Sequence, residues 1–254
     1  MNWAARRRFF ILLIIGAVVA AFVATVGIAT FYDAPSCTDN KQNQSEDGVD
    51  CGGPCAYLCT AQLQPPTVLF TKAIHNGAGR VDVIAEVENK NTTSAAKDVP
   101  YRITLYGDEQ ALIQEVTGTV DLPPGVSMPI FFPSIASGQQ TVVNAFLTIS
   151  PTSPKWFSLS PDPRIIPTVS NVRQGGTTSA PRVEAVLSNI TAAPLLDVRV
   201  VILVHNGSGD VIAASSTILP VIPAQGKSTA TFTWNSQFSG VPASLEVVPI
   251  IPLP

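Results

Sequence analysis

The feature that most constrains this chain is an uncharged apolar run near its start, from Phe9 to Phe31. As a helix rising 1.5 Å per residue, the run extends about 35 Å, enough to cross a hydrocarbon core of about 30 Å. A cleaved signal peptide is the alternative, although its apolar region spans only about 7–15 residues and ends at a small-x-small site. The sequence therefore favours an uncleaved transmembrane helix at residues 9–31 in contact with the lipid bilayer, and leaves cleavage open.

Charges flanking the run predict which side of the membrane each part occupies. Arg6, Arg7 and Arg8 directly precede it, and Tyr32 follows it as an interfacial aromatic residue. Because basic residues stay on the cytoplasmic side, residues 1–8 are expected in the cytoplasm and the rest beyond the membrane. The chain is thus a predicted single-pass cell-membrane protein with extracytoplasmic C-terminal domains.

Composition excludes several classes of protein for the part beyond the membrane. The chain has 15 Lys+Arg and 18 Asp+Glu; without the three cytoplasmic arginines, 12 basic residues face 18 acidic ones, a net charge of −6. An acidic surface disfavours nucleic acid and anionic headgroups as partners. The 22 prolines argue against a coiled coil or helical bundle, since proline disrupts helix interiors.

The four cysteines lie close together at Cys37, Cys51, Cys55 and Cys59. An even count in an oxidising compartment predicts two disulfides, with three possible connectivities. A zinc site is the alternative, but the spacing lacks a C-x2-C pair and no histidine is nearer than His75. Residues 32–64 are therefore expected to form a disulfide-rich extracytoplasmic segment.

The stretch from Cys37 to Cys55 resembles a DCGGxC-type cysteine-rich motif of bacterial and archaeal surface proteins. Asn40 departs from the motif, which usually has glycine there. The matching positions are Cys37, Asp39, Asn43, Glu46, Asp50, Cys51, Gly52, Gly53 and Cys55. The resemblance implies a prokaryotic cell-surface setting and brings no reaction with it.

Oxygen-bearing side chains in the same segment make calcium a possible cofactor. Asp39, Asn43, Glu46 and Asp50 supply the oxygen ligands that calcium prefers. The segment lacks the spacing of an EF-hand loop, and a solvated acidic loop is the simpler interpretation. No other cofactor is expected.

From about residue 66 the sequence predicts short strands, arranged as two copies of one β-domain. Val81, Val83, Ala85 and Val87 alternate with a second set of residues, the period of a half-buried strand. The second set is Asp82, Ile84, Glu86 and Glu88. The order recurs about 100 residues later. The matched pairs are Asn89 with Asn189, Asp98-Val99 with Asp197-Val198, Ile113 with Ile212, Gly125 with Gly226, Ser127 with Ser228, and Phe131 with Phe232. We expect β-sandwich domains at 65–150 and 164–254, joined by a linker at 151–163.

The first copy resembles the FxLYD-type domain, an extracytoplasmic immunoglobulin-like module. The match lies in Ile103-Thr-Leu105-Tyr106-Gly-Asp108, with Gly107 inserted before the aspartate. The second copy, at Ile202 to Asn206, loses the tyrosine. The resemblance implies a spacer or adhesive unit without catalytic residues. The expected fold class is mainly β: a transmembrane helix, a disulfide-rich segment and two tandem immunoglobulin-like sandwiches.

Individual side chains add smaller predictions. His75 and His205 each precede Asn-Gly, a hairpin-turn signal, and are expected at strand ends. Trp156 and Phe157 are expected to pack the two domains together, with an exposed sugar-binding platform as the alternative, and Trp234 is expected to lie in a core. With neither a catalytic motif nor a nucleophile beside a plausible base, no catalytic residue is predicted and the chain is not expected to be an enzyme.

These observations favour a structural or interaction protein that presents two β-sandwiches to an envelope or cell-surface protein partner. The alternative is an extracytoplasmic sensor that binds carbohydrate or calcium. A further alternative is an accessory subunit of an envelope assembly that uses the helix as an interface, since Gly16 and Ala20 form a small-xxx-small pair.

Overall fold

The computed structural model describes residues 3–31, 36–43, 45–75, 79–136, 140–152 and 154–254. Strands make up 50% of the chain and helix 14%, so the fold is mainly β, as predicted. The chain divides into two compact units, Met1–Cys55 and Ala56–Pro254.

The first unit begins with helix α1, Trp3–Phe31. It starts six residues before the predicted span, so the three arginines are helical. The Thr25 hydroxyl donates to the Ala21 carbonyl at 2.7 Å, which satisfies its polar group within the helix. Beyond the helix, the described part of this unit is irregular and carries the Cys37–Cys55 disulfide.

The second unit contains the strands. Two short 3-10 turns, Thr60–Gln62 and Asp108–Gln110, accompany them. Among the described residues the strands are β1 Thr67–His75, β2 Arg80–Glu88, β3 Ser94–Tyr106, β4 Leu112–Leu122, β5 Ser127–Ala136, β6 Asn144–Ile149, β7 Trp156–Ser158, β8 Thr168–Thr177, β9 Ala180–Ser188, β10 Leu195–His205, β11 Val211–Ile222, β12 Lys227–Thr233 and β13 Ser244–Ile250. We call β1–β7 the first half and β8–β13 the second half.

The two halves repeat one pairing pattern. In the first half, sheet 1 has the order β1-β2-β5 and sheet 2 the order β4-β3-β6, with β7 also paired to β3. In the second half, sheet 3 has the order β8-β9-β12 and sheet 4 the order β11-β10-β13. Sheets 1 and 3, and sheets 2 and 4, are therefore equivalent.

Three apolar clusters set the order of the sheets. One lies between sheets 1 and 2 and includes Val83 and Ile103; another lies between sheets 3 and 4 and includes Val183 and Ile202. The third joins the halves, because Ile84 of β2 packs with β10 and β11 of sheet 4. The layers therefore follow the order sheet 2, sheet 1, sheet 4, sheet 3.

The prediction that β2 is half-buried is partly wrong, because part of its second face is also buried. Val81, Val83 and the other inward positions are fully buried, as the alternation predicts. On the opposite face, however, Asp82 is only 4% exposed and Ile84 is 0% exposed. Sheet 4 covers Ile84, a long-range contact that the alternation within one strand does not encode.

The predicted matching of the two copies is also wrong by one residue at Phe131. Phe132 pairs with Val83, and Phe232 pairs with Val183, so Phe132 rather than Phe131 is the equivalent of Phe232. Phe131 points to the other face and packs into the junction between the halves. A shift of one residue reverses the face of every side chain in a strand.

Trp156 does not pack between the halves as predicted. It is 1% exposed within the cluster of the first half, and β7, which it begins, lies inside the expected linker 151–163. The Leu58 amide donates to the Trp156 carbonyl at 2.8 Å, which ties this strand to the start of the second unit. Trp234 lies in the cluster of the second half, as expected.

Candidate functional site

The N-terminal helix is long and apolar enough to cross a membrane between Arg6 and Thr30. Its apolar side chains are exposed, for example Leu12 at 69% and Phe22 at 67%. The Arg7 guanidinium lies over the Trp3 ring, 5.7 Å from its centroid. Tyr32, the predicted flank on the other side, lies outside the described residues.

All four cysteines are oxidised, as the even count predicts. Cys37 and Cys55 form one disulfide, which closes a sequence separation of 18 residues. Cys51 and Cys59 are also disulfide-bonded, so none of the four cysteines, all of them described, is free. The Sγ of Cys55 lies 3.1 Å from Oε1 of the buried Glu46. Because the sulfurs near Glu46 are not thiolates, they offer no anionic ligand to a metal.

The candidate calcium residues come together, but their oxygens face protein donors. The Asp50 carboxylate accepts from the backbone N–H groups of Asp39 and Asn40, at 3.0 and 2.9 Å. The Asn43 amide donates to Asp39 Oδ2 at 2.7 Å, and this hydrogen bond lowers the pKa of Asp39. Oε2 of Glu46 accepts from the backbone N–H groups of Asn43 and Asp50. These groups therefore organise the loop, and Asn43 Oδ1 alone among the four residues is both buried and without a hydrogen bond.

Ionisable groups border the junction between the halves. His205 Nε2 lies 3.1 Å from Glu246 Oε2, and His205 Nδ1 lies 3.1 Å from the Gly209 carbonyl. Burial raises the pKa of Glu86 on β2, and the negative charge of Glu246 on β13 raises it further. The two halves thus bring two carboxylates and one histidine close together.

A cleft of about 300 Å³ opens beside this junction. Phe131 and Val201 form part of its apolar wall, and Tyr101, Asp121 and Arg199 supply polar groups. Burial raises the pKa of Tyr101, although the Arg199 charge opposes that shift. Asp121 is engaged, because its carboxylate oxygens accept from the backbone N–H groups of residues 98 and 253.

The outer face of sheet 2 carries an aromatic pair in which Phe146 is exposed and Tyr106 is half-buried. The rings of Tyr106 and Phe146 meet edge to face with centroids 5.9 Å apart, and Phe146 is 55% exposed. Thr104 and Gln110 line the same depression of about 540 Å³. Flat apolar rings beside hydroxyl and amide groups are suited to stacking and hydrogen bonding.

Both histidines lie at strand ends, as the turn signal predicts. His75 is the last residue of β1, and His205 is the last residue of β10. After His205, the side chain of Asn206 accepts from the amides of Ser208 and Asp210 and closes the turn. The turn predicted after His75 falls at 76–78, outside the described residues.

Sequence reasoning missed the residues that join the halves, although one signal was available. The run Val200 to Val204 has no polar residue, and all five side chains are buried. A short continuous apolar run is typical of a strand covered on both faces. The aromatic pair on sheet 2 gave no such signal, because Tyr106 and Phe146 are 40 positions apart in sequence.

No protein-family model matches the chain, and a search of curated proteins finds no match. Among solved structures, the transglutaminase of red sea bream aligns with 73% of this chain at 14% identity and a TM-score of 0.25. The chain spans 29% of the length of that structure. A likeness of this size supports no conclusion about activity.

Proposed function

We propose that the chain is a membrane-anchored extracytoplasmic structural or interaction protein. Its helix holds two immunoglobulin-like β-sandwich domains at the cell envelope for protein–protein contacts. The observation that carries this proposal is the oxidised state of all four cysteines soon after an exposed apolar helix. Disulfides persist in oxidising compartments, and the arginines before the helix favour a cytoplasmic N-terminus.

The junction between the halves supports a structural role. Ile84, Val201 and Leu203 are at most 2% exposed, so the two halves share a packed apolar layer. The Arg164 guanidinium donates to both the carboxylate of Asp162 and the carbonyl of Ile251, which ties the connecting segment to the residue that follows β13. A β unit fixed in this way presents the outer faces of sheets 2 and 3 in constant relation to each other.

Photo-cross-linking in the native membrane tests the interaction role. A photoreactive amino acid replaces Arg102 on the outer face of sheet 2 or Thr229 on the outer face of sheet 3, both of which are exposed. We expect one of the two sites to yield a cross-linked envelope protein of reproducible mass. A matched probe at the buried Ile103 serves as control. Absence of any cross-linked product from both exposed faces would contradict the proposal.

A second candidate is carbohydrate binding on the outer face of sheet 2. The exposed Phe146 ring and its contact with Tyr106 favour it. Binding of soluble envelope oligosaccharides to the full chain in detergent tests this function by calorimetry. Phe146→Ala is expected to abolish binding, whereas Val143→Ala, at a similarly exposed apolar position, is expected to leave it intact. Equal binding by both variants would exclude this face.

A further inference from the structure

Three large apolar side chains stay exposed on the outer face of sheet 4, beyond its contact with sheet 1. Leu196 is 65% exposed, Ile218 54% and Val221 44%. Leu196 lies directly opposite Val221, and Ile218 lies opposite Arg199 in the pairing of β10 with β11. We call these three side chains the sheet 4 patch.

The patch continues the face that sheet 1 already covers. The neighbouring residues Leu195 and Ile222 turn inward and pack in the cluster of the second half. Farther along the same outer face, Val201, Leu203 and Ala214 pack against the first half. The patch is therefore an uncovered extension of an established interface.

The first half shows that the fold does not need apolar residues here. Asp98 and Asp197 are equivalent, with φ values of 52° and 49°, so Lys97 occupies the position of Leu196. Thr119 lies opposite Pro100 in the first half, and Ile218 lies opposite Arg199 in the second half, so Thr119 occupies the position of Ile218. Polar residues thus stand in the first half where the patch has leucine and isoleucine, and local packing does not explain the patch.

Two opposite charges border the patch and have no ion pair within the described chain. Asp197 directly follows Leu196, Arg199 lies opposite Ile218, and both charged residues are exposed. Both charged residues also line the cleft beside the junction. A surface that carries both signs beside apolar side chains can complement itself under a twofold rotation, if the rotation places Arg199 of each copy near Asp197 of the other.

We propose that the sheet 4 patch pairs with the same patch of a second copy of this chain. Three side chains form a small interface, below the roughly 1,000 Å² typical of stable complexes. A membrane anchor compensates, because it confines both copies and raises their effective concentration. The gain in effective concentration rests on the proposed anchor, whereas the pairing of Arg199 with Asp197 does not.

Cysteine cross-linking of the full chain in its native membrane tests the pairing. Since the chain has no free cysteine, Ile218→Cys adds a single reactive thiol. We expect a short bis-maleimide to give a product of twice the chain mass, about tenfold more abundant than with the control Thr229→Cys on sheet 3. Equal yields at the two positions, or a product with a chain of another mass, would overturn the proposal.

A charge exchange separates pairing from folding. In the Ile218→Cys background, Arg199→Glu brings two carboxylates together and is expected to lower the cross-linked fraction about tenfold. Adding Asp197→Lys restores opposite charges and is expected to restore the yield. The pairing would be overturned if the variant with both Arg199→Glu and Asp197→Lys kept the low cross-linked fraction while its melting temperature stayed unchanged. Labelling of Thr229→Cys by a membrane-impermeant maleimide checks the anchor separately, because it does not depend on dimer formation.

Discussion

Ile84 and Glu184 occupy equivalent positions in the two halves and have opposite environments. Ile84 lies opposite Phe131 in sheet 1, and Glu184 lies opposite Thr231 in sheet 3. Ile84 is fully buried against sheet 4, whereas the Glu184 side chain is 44% exposed and pairs with Arg182. The same strand position thus forms the junction in one half and a polar outer surface in the other. A polar outer face ends a stack of repeated units.

Ile84→Ala tests the contribution of the junction. Removing a fully buried isoleucine leaves a cavity, and we expect the free energy of unfolding to fall by about 2–5 kcal/mol. The matched control Glu184→Ala is expected to change it by less than about 0.5 kcal/mol. Denaturant unfolding of the full chain in detergent, followed by tryptophan fluorescence, measures both. Equal effects would show that the junction adds no stability.

Asn89→Ala and Asn189→Ala test the clearest structural equivalence in the repeat. The Asn89 amide donates to the carbonyls of Ser94 and Pro123, both at 2.8 Å. Asn189 makes the same contacts to Ala193 and Pro223. Each asparagine is at most 2% exposed. Each substitution leaves buried carbonyls unsatisfied.

We therefore expect each alanine variant to lose about 1–3 kcal/mol of unfolding free energy. The exposed Gln174→Ala serves as control. A neutral result at one asparagine and a large loss at the other would show that the two networks do not play the same role.

Glu86→Gln tests the charges at the junction. Burial, followed by the Glu246 charge, raises the pKa of Glu86 above its ordinary value. The folded chain therefore holds this proton more tightly than the unfolded chain. The protonated Glu86 therefore makes its full contribution to stability when the pH is below its pKa in the unfolded chain. This contribution is lost as the pH rises through its pKa in the folded chain.

At neutral pH the glutamine variant should consequently melt at a higher temperature than the parent chain, and the difference should shrink as the pH falls toward 4. The control Glu88→Gln, on the same strand face beside Lys90, is expected to show a smaller gain. Melting curves between about pH 4 and 8 measure the effect. A lower melting temperature for Glu86→Gln at neutral pH would refute this account.

Calcium addition tests the cysteine-rich loop. Because Asp50 and Glu46 already accept backbone hydrogen bonds, we expect equal melting temperatures in calcium and in a chelator. Reduction, by contrast, should destabilise the segment by at least about 3 kcal/mol, the cost typical of opening the Cys37–Cys55 loop alone, because Cys51 and Cys59 are reduced as well. A rise in melting temperature with calcium, abolished by Asp39→Asn, would favour the ligand-binding alternative.

Local patterns in the sequence were sufficient to predict the helix, the inward face of β2 and the oxidised cysteines. The uncharged run from Phe9 predicted the helix, and the alternation from Val81 to Val87 predicted the inward face of β2. The even cysteine count predicted full oxidation. Each of these signals depends on neighbouring residues or on simple composition.

Long-range packing accounts for what the sequence did not reveal. Burial of Ile84 depends on β10, more than 100 residues away; the isoleucine at an outward position of β2 marks an apolar site, but it does not identify the strand that covers it. The error at Phe131 has a different origin, since two adjacent phenylalanines let the repeat be matched in either register and only the strand pairing distinguishes them. Trp156 lies among prolines that suggest a linker, yet β3 supplies a free edge for it.

Thiol labelling of intact cells tests whether the β unit lies outside the cytoplasm. Thr229→Cys places a single thiol on an exposed surface, and Trp3→Cys places one before the predicted span. We expect a membrane-impermeant maleimide to label the Thr229→Cys chain in intact cells, and to label the Trp3→Cys chain only after the membrane is opened. The reverse order would contradict this placement.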